Sequence, residues 1–207
     1  MGLSRLQLHG KDGVKRALTL VRATPMLILP CAVTALGFSV SQMSNALLAP
    51  IITAQQKSSS DFGLISSAWA VGAIASAVLV NASSAKSSTG GNRFAVLLFL
   101  GVLSILFALT KSTITQTAVF AGMGAVFSYL RIMAASDIAL HTPNEKIGQV
   151  QVTLSNFISL TALIVYAIPT LLESLPPTLT FSIWGTGIVV VSLGALIFGQ
   201  LTAKTYR

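Results

Sequence analysis

Residues 114–140 read ITQTAVFAGMGAVFSYLRIMAASDIAL, a long apolar run whose only charged side chains are Arg131 and Asp137. Coiled as an α-helix, such a run exceeds the roughly 20 residues that cross a hydrocarbon core about 30 Å thick. It lacks period-two alternation and is far longer than the roughly 10-residue strand of an outer-membrane barrel, so a strand does not fit it. A helix also satisfies its own backbone hydrogen bonds, as lipid requires. Five further apolar runs occupy residues 26–52, 62–80, 94–109, 150–172 and 179–201. Residues 55–61 are polar, 81–92 are rich in Ser and Gly, and Pro176-Pro177 breaks the chain before the last run,. The pattern predicts an all-α polytopic membrane protein with about six transmembrane helices. Residues 25–203 form the membrane domain, between a basic cytoplasmic segment, 1–24, and a cytoplasmic tail, 204–207.

Composition gives the same class. The chain is 53% hydrophobic and only 9% charged, where a soluble domain carries about 25% charged residues. With a mean hydropathy of +0.80, it cannot clothe a water-soluble surface, and a lipid bilayer is its expected partner. A net charge of +8 would suggest nucleic acid in a soluble protein; here it is topological, and no nucleic-acid partner is expected. Arg5, Lys11, Lys15, Arg16, Arg22, Lys86, Arg93, Lys146, Lys204 and Arg207 fall on one side of the predicted membrane, and only Lys57 and Lys111 on the other. Positive residues are retained in the cytoplasm, so both termini are expected there, with the protein in the cytoplasmic (inner) membrane of a bacterium. The first segment is not expected to be a signal peptide, because its charges extend to Arg22 and the following apolar run is too long for one,. Val14, Ala17, Leu18 and Val21 share a helical face, which fits either an interfacial helix or a solvated basic tail,.

Arg131 is the most informative residue, since an ionisable group within a span is costly and points to function. It is expected either to face a cavity or to snorkel to the cytoplasmic surface. Asp137 lies six residues further on, on a different face, so the two cannot pair along one helix,. Asp137 and His141 do share a face, as a gate or proton relay or as a simple helix end,. In the first span Thr34, Ser41, Gln42 and Asn45 gather on one sector, to line a polar pathway or to bond between helices,. Asn156 and Ser159 offer a weaker version in the fifth. The candidate substrate pathway is therefore Arg131, Asn45, Gln42 and Asn156. Small residues four apart, Gly72 with Ser76, Ala73 with Ala77, Ala121 with Ala125 and Gly124 with Ser128, predict close helix contacts,. Pro30, Pro50 and Pro169 are candidate kinks,.

No enzyme is expected. The sequence has no G-x-S-x-G elbow, no H-E-x-x-H zinc helix and no phosphate-binding loop, so ATP hydrolysis is not encoded and no cofactor is implied,. His9, His141 and the single Cys31 are too few and too scattered for a metal site,.

The order of several landmarks resembles the carboxy-terminal half of a major facilitator superfamily transporter, in its drug and siderophore exporter branch. These are Asn45 and Pro50 in NALLAPII, Gly63 in DFGLISSAWAVGAIASA, Gly122 and Gly124 in AGMGA, and TPNEKIGQVQVTLS from Thr142, which is similar to that family's Pro-x-Glu-x-x-Gly-Arg-Val connector. Gln149 stands where the connector usually has Arg, and residues 81–93 lack the Asp of the family's G-x-x-x-D-R-x-G-R loop. The resemblance implies a secondary transporter of a small organic solute, biased toward export and driven by an ion gradient. It also implies a partner: a second six-helix half, or another copy of this chain, with the substrate path between the two. The segment before Pro25 then looks like the linker between halves of a split or truncated transporter. A non-transporting binding or assembly module, or a transporter remnant, is the alternative.

Overall fold

The computed structural model describes residues 28–82 and 90–205. The basic segment 1–24, the Lys86 region and the last two residues lie outside them. The described chain is all-helical: α1 Ile28–Ala54, α2 Ser59–Ala82, α3 Gly90–Leu109, α4 Thr113–His141, a 3₁₀ turn Asn144–Lys146, α5 Ile147–Leu171 and α6 Pro177–Thr205.

Four of the boundaries have a local cause in the described residues. At the end of α1, Gln56 takes a left-handed φ of 56°. There Gln56 N–H bonds to Thr53 O at 3.0 Å and Lys57 N–H to Ile52 O at 3.1 Å, the paired bonds of a Schellman stop,. Next, Ser58 and Asp61 form a reciprocal capping box: Asp61 N–H donates to Ser58 Oγ at 3.2 Å while Ser58 N–H donates to Asp61 Oδ2 at 3.0 Å,. Thr142, extended at ψ 127° ahead of Pro143, ends α4,. Pro177 starts α6, where a missing N–H is harmless,.

Five helices are long and apolar enough to cross a membrane: α1, α2, α4, α5 and α6. α3 contributes a shorter apolar stretch among the described residues, Arg93–Leu109, and Arg93 near its start is buried in the bundle. Large apolar side chains such as Val71, Ile74, Leu79, Leu163, Val190 and Phe198 face outward. Water would not tolerate such a belt, whereas a lipid bilayer is its natural solvent.

Inside the belt, α1 touches every other helix. Val33, Val40, Met43, Leu47 and Ile51 make it the core of the bundle, each almost fully buried. Around it the two most extensive contacts are α2 with α4 and α3 with α6. Both are glycine crossings. A Cβ on Gly72 would overlap the Ala121 carbonyl, and one on Gly124 would overlap the Trp69 carbonyl. A Cβ on Gly101 would stand 3.0 Å from the Gly185 carbonyl oxygen, and one on Gly185 would stand 3.1 Å from that of Gly101. Without a hydrophobic drive between helices in lipid, this backbone proximity supplies the van der Waals contact that holds them. The small-residue spacing thus marks the α2–α4 contact as the sequence predicts, while Gly101 and Gly185 had no such repeat to reveal them.

The contact pattern has an internal relation. Exchanging α1–α3 with α4–α6 turns the α2–α4 contact into α5–α1 and α3–α4 into α6–α1, and leaves α1–α4 and α3–α6 unchanged. The relation is partial: α2–α4 is far more extensive than α5–α1, and the α1–α3 contact has no counterpart of similar extent between α4 and α6.

Candidate functional site

Three helical stripes converge where α1 begins, α4 ends and α5 begins. Thr34 and Phe38 come from α1, Arg131, Ala134, Ala135 and Ile138 from α4, and Gln151, Leu154, Ser155 and Ile158 from α5. Each set is spaced by three and four residues, one face of a helix. Together they line a cavity of about 370 Å³, within the usual size range of small-molecule sites.

Arg131 is its charged group. The residue lies nine positions before Leu140, the end of the apolar stretch of α4, so about 14 Å of helix separates it from that end. Its Cζ stands 5.8 Å from the centroid of the Phe38 ring, a cation–π contact of about 0.5–2 kcal/mol. Phe38 is itself held edge-on by Phe127 at 5.0 Å. Phe127 contacts Trp69, Trp69 contacts Phe120, Phe120 contacts Phe107, and Phe107 contacts Phe181, all at centroid separations of 5.1–5.7 Å. A line of rings through α6, α3, α4, α2 and α1 therefore ends beneath the guanidinium.

The other expected pathway residues do not line this cavity. Gln42, one turn beyond Phe38, accepts a 2.8 Å hydrogen bond from the Tyr166 hydroxyl and ties α1 to α5. Asn45 and Asn156 are exposed. Phe38 and Gln151 were not singled out in the sequence; Phe38 lies one turn on from Thr34, and no polar residue singled out in the fifth span shares the face of Gln151.

Asp137 faces away from the cavity. Its Oδ2 lies 2.5 Å from Arg93 Nη2, in an ion pair buried between α3 and α4. The carboxylate expected to share a face with His141 is thus committed to a cation counted in the sequence only as a topological charge. The side chain of His141 lies outside the described residues.

The opposite end of the bundle is tied by amides. Gln116 on α4 is fully buried. Its Oε1 accepts from Lys57 Nζ, and its Nε2 donates to Thr110 O at 2.8 Å and Gln55 Oε1 at 3.2 Å. Both amide N–H groups are thereby used, and the α1–α2 and α3–α4 connections are joined. Burial lowers the Lys57 pKa from its ordinary value, and nearby Asp61 partly opposes this. Among the described residues no cluster of His, Cys, Asp and Glu could hold a metal ion. The chain matches no family model, no curated protein and no solved structure.

Proposed function

We propose that the chain is a secondary active transporter, or one six-helix half of one, moving a small organic solute by alternating access coupled to an ion gradient, in the direction of export. The observation that carries this reading is the cavity: a recess of about 370 Å³, walled mostly by apolar side chains and holding an arginine within the apolar length of α4, at the end of the bundle away from the Lys57–Gln116–Gln55 tie. The Phe38 contact is a small return for placing a guanidinium there, whereas substrate pathways use such groups,. The exchange relation between α1–α3 and α4–α6 supports it, because nested three-helix inverted repeats build each half of a major facilitator transporter. The landmark order in the sequence points the same way. On this reading α3 completes a sixth crossing and both termini lie in the cytoplasm of a bacterium. The chain sits in the inner membrane, and a second half or a second copy forms the far wall of the path.

Flux into liposomes tests the proposal. Purified protein, reconstituted with any second half it requires, is expected to move radiolabelled organic solutes only when an ion gradient is imposed. Arg131→Ala is expected to insert normally and lose that flux. No gradient-dependent flux for the wild type rejects the mechanism, and equal flux by the variant rejects the role of Arg131.

A second reading, a non-transporting binding or assembly module or a transporter remnant, is favoured by α5. Almost none of its apolar span is buried, which suits a helix whose outer face meets another protein. Stable copurification with an unrelated membrane complex, without flux, would select it.

A further inference from the structure

Charge and packing fail to balance at Arg131. Among the described residues Arg93 has Asp137, and Lys57 has Gln116 with Asp61 nearby. The Asp61 carboxylate accepts from Ser58. Glu145 lies exposed on the 3₁₀ turn, and Glu173 lies exposed beyond the far end of α5. Among the described residues no ion pair reaches Arg131, whose charge faces the Phe38 ring. That contact uses none of the five N–H donors of the guanidinium.

The cavity walls complement this cation with apolar surface from Phe38, Ile138, Leu154 and Ile158, and with one amide, Gln151. Arginine presents a planar fork that matches carboxylate and phosphate oxygens two at a time. Arg131 keeps an exposed side chain, open to a ligand, and beside the apolar walls of the recess an anion that supplies the missing charge gains more than it would in open water,.

We propose that this cavity binds an organic anion, its carboxylate or phosphate head on Arg131 and its apolar body against Phe38, Ile138, Leu154 and Ile158. The inference rests on the transport reading and names its substrate class. The same chemistry has two sources, a dissolved organic anion or the phosphate headgroup of a membrane lipid, and the test separates them.

The full chain in dodecyl maltoside, without added lipid, is assayed for equilibrium binding of radiolabelled benzoate, with benzamide and benzylamine as neutral and cationic competitors of the same shape. Benzoate is expected to bind, with both competitors about ten-fold weaker or worse, as loss of a charge-assisted pair requires. Arg131→Gln, an exposed substitution that forfeits the Phe38 contact and is expected to fold and insert, should weaken benzoate by about ten-fold or more, and Arg131→Lys by less,. Phe38→Leu should weaken it several-fold. In parallel, native mass spectrometry with phosphatidylglycerol present reads retained lipid. Retention that Arg131→Gln abolishes, with displacement of benzoate, assigns the anion to lipid; benzoate binding indifferent to phosphatidylglycerol assigns it to a dissolved solute. Equal affinity for benzoate and benzamide, or no binding of either anion that depends on Arg131, overturns the proposal. The assay needs neither a gradient nor a second half. Binding without flux therefore rejects transport alone, and flux of neutral or cationic solutes without anion binding rejects the substrate class alone.

Discussion

Asp137 on α4 and Arg93 near the start of α3 form an ion pair buried on both sides, with 2.5 Å between Oδ2 and Nη2. Desolvating two such charges is expensive, and their attraction offsets it only while both are present. Arg93→Met or Asp137→Leu alone should lower stability by about 3–5 kcal/mol, while the double substitution should recover most of the loss. Thermal melting in detergent checks this as a double-mutant cycle; strictly additive losses would show that the two are not coupled.

The α2–α4 crossing makes a sharper prediction. Gly72→Val or Gly124→Val must push apart a pair of backbones already in contact, and each should cost several kcal/mol or prevent folding, as overpacking at a close crossing does. Gly63→Ala and Gly187→Ala, where nothing lies within 4 Å of the added carbon, should melt within about 0.5 kcal/mol of the wild type. Melting midpoints of the four variants decide it.

Gln116 supports both connections at its end of the bundle. Gln116→Leu leaves Lys57 Nζ and the Thr110 carbonyl without that amide, so stability should fall by about 1–3 kcal/mol. The lowered Lys57 pKa carries its own sign. Between that lowered value and the ordinary 10.5, the unfolded chain holds more protons than the folded one, so stability rises with pH across that window. Lys57→Met should flatten this rise in melts taken at alkaline pH; an unchanged slope would remove Lys57 as its source.

Topology can be checked by thiol labelling in a Cys31→Ala background. Cysteines placed at Lys57 and Lys111 should react with an impermeant reagent from one side of the membrane, and those at Arg16, Lys86 and Lys146 from the other. A cysteine at Lys146 that shares a side with Lys57 would mean that the number of crossings between them is even rather than odd.

What the sequence conveyed clearly was whatever depends on long-range composition. Runs of twenty apolar residues, polar connectors and the Gly72 and Gly124 spacing are repeated signals, and the helices fall close to where those signals place them. The Pro176-Pro177 break likewise sits where α6 begins. Arg131 could be recognised because a charge within an apolar helix is conspicuous by itself. Its companions could not, because Phe38 is one aromatic among ten phenylalanines and Gln151 follows a polar connector. They become a site only when α1 and α5 are brought beside α4. The Asp137–Arg93 pair was hidden for the same reason: 44 residues of chain separate its members, and each has a sufficient local explanation, as a helix end or as a cytoplasmic charge. Gln116 was not singled out, because it stands at the beginning of a span and nothing nearby in the sequence announces that two loops close upon it.

The sparse seating of α5 bears on how the recess can change size. Two walls, α1 and α4, belong to a frame clamped by glycine crossings and threaded by edge-on and tilted rings, whereas the third is attached chiefly to α1, with the Tyr166–Gln42 bond as a cross-tie. Widening or narrowing therefore draws on the smallest store of contacts in the molecule, and α5 can swing like a door on one post while the rest of the bundle keeps its shape.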